Sequence, residues 1–270
     1  NDLRFELSFK NTFQLENKLN FCISNNINKI NIPCKGVIKK DFLNETIKYI
    51  GENYKNLDVT YHYSLYHQYA KNREYSYLEF LNFIKKCKFY KNKEILLVSG
   101  SNKKKNFEVL DVLRDFNNEK NLNIDIGTAY NPYLKNHYNI CGERERIKKK
   151  FSCRLTKSIW LQFGTDIKLL EKEINFLNDS VLNNTSHSKD KNVKIFGSLL
   201  IPSKEFISRF KFRPWKGVFI SEKYLNSLDD FYAFTKDLIE IYLDNNICPI
   251  IETECSSIKK LQDIHSLMKK

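Results

Sequence analysis

The sequence predicts an α/β chain that closes into a (β/α)8 TIM barrel, a single domain over residues 1–270. Three observations predict it. A short β-rich run followed by a longer amphipathic stretch recurs eight times along the chain. Strands alternating with helices pair in parallel through right-handed crossovers, and eight such units in about 250 residues is the count that closes a barrel. The competing open dinucleotide-binding sheet would show a Gly-rich turn after its first strand, yet the eight glycines form neither a G-x-G-x-x-G nor a P-loop.

Taken in order, the β-rich runs are Leu3–Phe9, Ile30–Pro33, Leu57–Tyr63, Glu94–Ser99, Ile124–Ala129, Ser158–Phe163, Val193–Ile201 and Ile247–Ile251. Apolar residues at helical spacing lie between them at Leu15–Ile23, Phe42–Ile50, Tyr77–Phe89, Phe107–Phe116, Ile167–Phe176 and Leu228–Leu243. Two further helices, near Arg144–Lys150 and Lys204–Phe210, read less clearly. The polar stretch at about 179–192, punctuated by Ser and Asn, reads as a flexible loop inside the barrel rather than a domain boundary.

Composition sets the class. With 41% hydrophobic and 14% aromatic residues the chain can bury a sizeable core, which excludes disorder, collagen and a disulfide-stapled miniprotein. Seven cysteines, with no CxxC pair and no His at zinc-ligand spacing, read as free thiols in a reducing compartment. His62 and His67 lie five apart but lack a third ligand, so no metal is expected. No apolar run approaches the roughly 18 residues that cross a bilayer, and no secretory leader precedes Asp2. Residue 1 is Asn, so an upstream organellar presequence stays open, and the expected location is intracellular, cytosolic or mitochondrial. The net charge of +13 attracts phosphate-bearing partners, a cofactor or nucleic acid among them. A compositional bias toward Asn and Lys accounts for the same surplus, so nucleic acid is not the favoured partner.

A barrel puts its chemistry at the C-terminal strand ends, where this chain offers Glu6, His62, Ser99, Ser101, Tyr130, Gln162, Ser203, Glu252 and Thr253. An inward carboxylate in an apolar strand, such as Glu6, is the kind of group whose raised pKa suits a general acid; a salt-bridge partner for a barrel Arg or Lys is its plainer role. Aromatic and cationic residues interleave from Arg209 to Lys216, a pattern that stacks bases and touches phosphates, or more plainly packs a loop on the barrel.

Five segments occur in order: Phe5-Glu6-Leu7, Tyr61-His62-Tyr63-Ser64, Leu97-Val98-Ser99-Gly100-Ser101, Ile126-Gly127-Thr128-Ala129-Tyr130-Asn131-Pro132 and Trp160-Leu161-Gln162-Phe163. Together they resemble the catalytic barrel of the methylenetetrahydrofolate reductase family. There the first strand reads F-E-F-F-P-P, the third ends in histidine, the fourth in R-G-D, the fifth in A-Y-P, and the sixth reads T-Q-F-F. The likeness runs from Leu3 to about Thr253. It implies FAD as cofactor, NADH or NADPH as electron donor, and a folate substrate reduced from methylene- to methyltetrahydrofolate. It also implies Glu6 as proton donor and Gln162 as the folate contact, both catalytic. Flavin contacts fall on His62, Ser99, Gly100, Ser101, Ala129 and Tyr130, with Arg146, Lys149 and Lys150 near the diphosphate.

The departures point elsewhere. Arg-Gly-Asp has become Ser99-Gly100-Ser101, the proline pair after the first strand has become Phe9 and Lys10, and the fifth-strand proline has moved to Pro132. The alternative expectation is therefore a non-catalytic barrel of the same family, serving as a binding or structural subunit of a larger, RNA-containing or mitochondrial, assembly. For either reading the expected protein partners are further copies of the chain, as a homo-oligomer, or a larger assembly.

Overall fold

A computed structural model describes residues 3–34, 40–68, 72–100, 108–117, 123–134, 137–182, 193–215 and 217–268. Its strands follow one another around a closed barrel in chain order, β1 to β8. They are β1 (Arg4–Glu6), β2 (Lys29–Ile32), β3 (Asp58–Ser64), β4 (Glu94–Val98), β5 (Asp125–Tyr130), β6 (Thr156–Leu161), β7 (Lys194–Leu199) and β8 (Ile247–Ile251). Between them come α1 (Thr12–Ser24), α2 (Lys40–Asn53), α3 (Arg73–Phe89), α4 (Val109–Asn117), α5 (His137–Phe151) and α6 (Ile167–Leu177). β7 is followed by α7 (Lys204–Phe212), α8 (Glu222–Asn226) and α9 (Leu228–Asp244), and β8 by α10 (Ile258–Met268). The (β/α)8 expectation holds, each expected strand lying within a few residues of its place. Residues 178–182 of the expected loop form a π-helical turn, and 183–192 lie outside the described residues.

Helix starts follow from side-chain chemistry. Asn11, Asn72, Asp166, Ser203 and Ser227 each accept a hydrogen bond from a backbone N–H three residues on, satisfying a donor that the first turn leaves without an intrahelical partner. At helix ends the left-handed position is filled by Asn26 and Asn246, with φ of 57° and 54°. Asparagine tolerates that conformation where most side chains do not. A chain with eight glycines thereby makes tight helix-to-strand turns.

The contacts group the chain into two compact units. The first comprises Asn1–Glu6, Tyr130–Ile147 and Ile159–Lys270. In it β8 pairs in parallel with β1 (Arg4 to Ile250, Phe5 to Ile251) and with β7 (Ile195 to Ile247 through Leu199 to Ile251). Gly197 of β7 faces the helix layer, where a Cβ would come within 2.4 Å of the Tyr242 ring on α9. Alternation puts Phe196 and Ser198 on the opposite, inner face. The Tyr242 hydroxyl donates to the Ser198 carbonyl at 3.1 Å, so the glycine leaves room for a ring that ties α9 to β7.

The second unit comprises Leu7–Ala129 and Lys148–Ser158. Here β2 pairs with β3, β3 with β4 and β4 with β5, all in parallel. The Tyr63 ring sits 4.7 Å from both Phe80 and Phe83 of α3, so Tyr61 and Tyr63 face helices while Thr60, His62 and Ser64 face inward. Such strands are covered on both faces, which is why β4 reads as the nearly unbroken apolar run EILLV.

Between β7 and α9 the first unit carries an excursion built, among the described residues, from α7, residues 213–215 and 217–221, and α8. Phe219 bridges to Gly164 just past β6, its carbonyl accepts from Thr165 N at 2.9 Å, and Thr165 Oγ1 accepts from Ser221 N at 2.9 Å. The excursion therefore lies at the C-terminal end of β6, and the sequence reading found only α7 of its two helices.

Gly197→Ala would drive a methyl group into the Tyr242 ring. Overpacking of this kind costs about 1–3 kcal/mol, measured as a lower urea midpoint with an unchanged slope.

Candidate functional site

At the C-terminal end of the first unit, Glu6 is 8% exposed at the close of β1. Arg4 and Phe5 are level with Ile250 and Ile251, so the next step of the ladder sets Glu6 level with Glu252, two carboxylates on neighbouring strands. Neighbouring strands run about 4.8 Å apart. The Ser198 hydroxyl donates to Glu252 Oε1, and Thr253 Oγ1 accepts from Ile201 N at 3.0 Å. One layer below, the Arg4 guanidinium lies over the Phe196 ring at 5.7 Å, and that ring is 4.5 Å from Trp160. Gln162 is half-buried just past β6, its backbone N–H donating to the Tyr130 carbonyl at 2.9 Å.

Tyr130 is fully buried, with its side chain turned toward the helices. Its hydroxyl donates to Glu173 Oε2 of α6 at 2.5 Å. Arg144 of α5 grips the same carboxylate with two bonds, Nε to Oε2 at 2.9 Å and Nη2 to Oε1 at 2.6 Å, and covers the Phe176 ring at 4.6 Å. Burial, and then the bond to Glu173, push the Tyr130 phenol well above its usual range. The Glu173 contact raises Arg144 in turn. Arg146 bonds one turn back along α5 to Glu143 Oε2, while Glu143 Oε1 accepts from Asn131 N at 3.3 Å.

In the second unit His62 is half-buried on the inner face of β3, level with Leu96 of β4. After β4, Ser99 donates its hydroxyl to Glu108 Oε2 at 3.1 Å. Gly100 follows with φ of 79°, and a Cβ there would lie 2.6 Å from Tyr66 Cβ and 2.8 Å from Ser64 Oγ, so the turn is closed against neighbouring side chains. Ser101 lies outside the described residues. The Ala129 carbonyl accepts from Lys150 Nζ at 2.8 Å, and Lys150 is buried whereas Lys149 is exposed on α5. Among the described residues, no group of three His, Cys, Asp or Glu side chains could hold a metal ion.

The structure thus brings Tyr130 and Gln162 together through the backbone, and Ala129 and Lys150 through the lysine. Glu6 belongs to the first unit and His62 to the second. Several polar residues escaped the sequence reading: Arg4, Ser198, Glu173 as the partner of Arg144, and Ser158, whose hydroxyl donates to Glu94 Oε1. Strand parity was the available signal, since Arg4 shares a face with Glu6, and Ser158 with Trp160 and Gln162.

No family model matches the chain, and no curated protein sequence is similar to it. Solved structures do match. A thermostable aldo-keto reductase, Tm1743, aligns over 99% of this chain and 89% of its own with a TM-score of 0.53 at 12% identity. An active domain of a thermostable chitinase from Pyrococcus furiosus aligns over 93% and 83% with a TM-score of 0.55 at 11% identity. A chitinase-like lectin from tamarind aligns over 99% of both chains with a TM-score of 0.51 at 12% identity. At such identities the likeness shows the fold alone. The chain is a (β/α)8 barrel, and three neighbours with different names pass no activity to it. Among the described residues no helix is long and apolar enough to cross a membrane.

Removing the Glu173 carboxylate leaves Arg144 and the Tyr130 hydroxyl without their shared acceptor. Arg144 keeps 24% of its side chain in water, so Glu173→Ala should cost about 3 kcal/mol, the low end for a broken buried pair, read from urea unfolding. Tyr130, Tyr133 and Tyr242 are all raised above their usual values, burial being the first cause in each. A phenol held neutral by the fold contributes stability that is whole below about pH 10, its unfolded value, and is lost as pH rises toward the folded value. The urea midpoint should therefore fall as pH is raised through about 10; a flat profile to about pH 11 would contradict this assignment.

Proposed function

We propose that this chain is a non-catalytic barrel of the methylenetetrahydrofolate reductase type, a binding or structural subunit of a larger assembly that carries no flavin. The observation that supports this reading is the buried, internal use of two side chains that the resemblance assigns to FAD, Tyr130 and Lys150, beside the closed turn at Gly100. A diphosphate is held by cations and hydroxyls directed at it through charge-assisted bonds. Here the Tyr130 hydroxyl is bonded to Glu173, Arg146 to Glu143, Lys150 to the Ala129 carbonyl and Ser99 to Glu108. The turn at Gly100 is closed by Tyr66 and Ser64. Tyr130 and Lys150, so engaged, do not fit an FAD cradle. The net charge of +13 suits a subunit that meets an anionic partner.

A second reading, the active reductase taking NADH or NADPH and a folate, has one observation in its favour. Glu6 is retained, buried at the end of β1 and level with a second carboxylate, Glu252, in the unit that also holds Gln162.

Visible absorption after incubation with FAD and gel filtration separates the two. The subunit reading expects a colourless protein that oxidises neither NADH nor NADPH in the presence of methylenetetrahydrofolate. Retained flavin bands with turnover would overturn it, and Glu6→Gln should then lower that turnover by about 100-fold or more, as loss of a general acid does.

A further inference from the structure

The excursion after β7 presents a surface that the barrel interior does not account for. From Lys204 to Lys223 the chain carries six cationic residues against two acidic ones, Glu205 and Glu222. The apolar face of α7 is used inward: Ile207 and Phe210 are buried, and Phe206 meets Trp215 and Phe231 edge-on or tilted at 5.7 and 6.2 Å. What faces water is the remainder. Phe212 is 92% exposed at the last turn of α7, between the exposed Lys211 and Arg213, with Arg209 one turn back and the partly exposed Trp215 just beyond. Lys211 is steadied by Asn226 Oδ1 of α8 at 2.9 Å. Lys216 lies outside the described residues.

We propose that this end of α7 binds single-stranded RNA, with a base stacked on Phe212 and phosphates met by Arg209, Lys211 and Arg213. The proposal rests on the reading of the chain as a binding subunit and names its partner. A membrane surface would call for a contiguous apolar face, but of the apolar residues of α7 Ile207 and Phe210 are buried and Phe206 meets Trp215 and Phe231, which leaves Phe212 as the exposed one. An exposed ring between cations suits base stacking, which is sequence-tolerant because every base has a π-face. Open solvent around Phe212 also lets a strand enter without displacing any part of the fold.

The test uses the full chain and a fluorescein-labelled oligouridylate of about ten nucleotides, within the span such surfaces cover. Anisotropy should report binding at low salt, with log K falling against log salt at a slope of about −2 for three phosphate contacts on a single strand. Phe212→Ala should weaken binding about 5- to 150-fold, the range for one lost base stack, and Arg213→Glu should weaken it while making the slope shallower. Phe89→Ala, at a phenylalanine 77% exposed at the end of α3, should leave it unchanged. Circular dichroism confirms that each variant is folded. Absence of binding at low salt, equal affinity of Phe212→Ala and wild type, or binding only to anionic phospholipid vesicles would overturn the proposal. Flavin content is measured on the same preparation, so a colourless protein that ignores RNA loses this inference while keeping the subunit reading.

Discussion

Covering both faces of every strand is the constraint from which the rest of this molecule follows. A parallel strand between an inner side-chain layer and an outer helix layer has no solvent face, so each polar side chain on it needs a partner from the protein. The chain meets that demand locally at several positions, although the buried Thr128 hydroxyl on β5 goes without a hydrogen bond. Tyr130 reaches outward to Glu173, which Arg144 also holds; Ser198 reaches inward to Glu252; Ser158 is bonded to Glu94. Each is a polar group placed where an apolar one would pack, and each is satisfied. The functional reading depends on this pattern, because a side chain whose hydrogen bond completes the wall has less to offer a ligand.

The same constraint explains what the sequence disclosed. Strands buried on both faces appear as short apolar runs, and β4 (EILLV) and β8 (ICPII) were legible for that reason. Such runs lose the alternation that tells inside from outside. Tyr130 was therefore legible as the end of a strand but not as a residue facing α6. Parity with Ile126 and Thr128, both fully buried on the same strand face, was the only available clue. α5 was hard to see because HYNICGERERIKKKF has little apolar content, and its helical form leans on contacts such as Arg144 with Glu173. α10 was missed although Ile258, Leu261 and Ile264 repeat at three-residue spacing, a short signal after the last expected strand.

The excursion after β7 shows why the barrel and its surface answer different questions. The helix that packs on the β7–β8 wall is α9, through Tyr242, so α7 and α8 are additions to the basic unit. They are anchored by aromatic contacts, Phe206 and Tyr224 meeting Phe231, and by the bridge from Phe219 to Gly164. Loops at the C-terminal face are where barrels vary in function, and a segment held this firmly can carry exposed cations and a bare ring without endangering the core.

Retention of Glu6 has to be weighed against the same rule. A buried carboxylate is costly to remove once its surroundings are built around it, whether or not it transfers a proton. The layer beneath Glu6 holds Arg4 over Phe196, and the neighbouring strand brings Glu252 with its serine donor, so the end of β1 is a polar layer that several side chains share. Such a layer is kept on stability grounds alone. Tyr130 and Lys150 obey the same rule, each buried and turned to an internal partner. Their bonds to Glu173 and to the Ala129 carbonyl each tie a strand end to the helix outside it, so these two side chains serve the wall of the barrel.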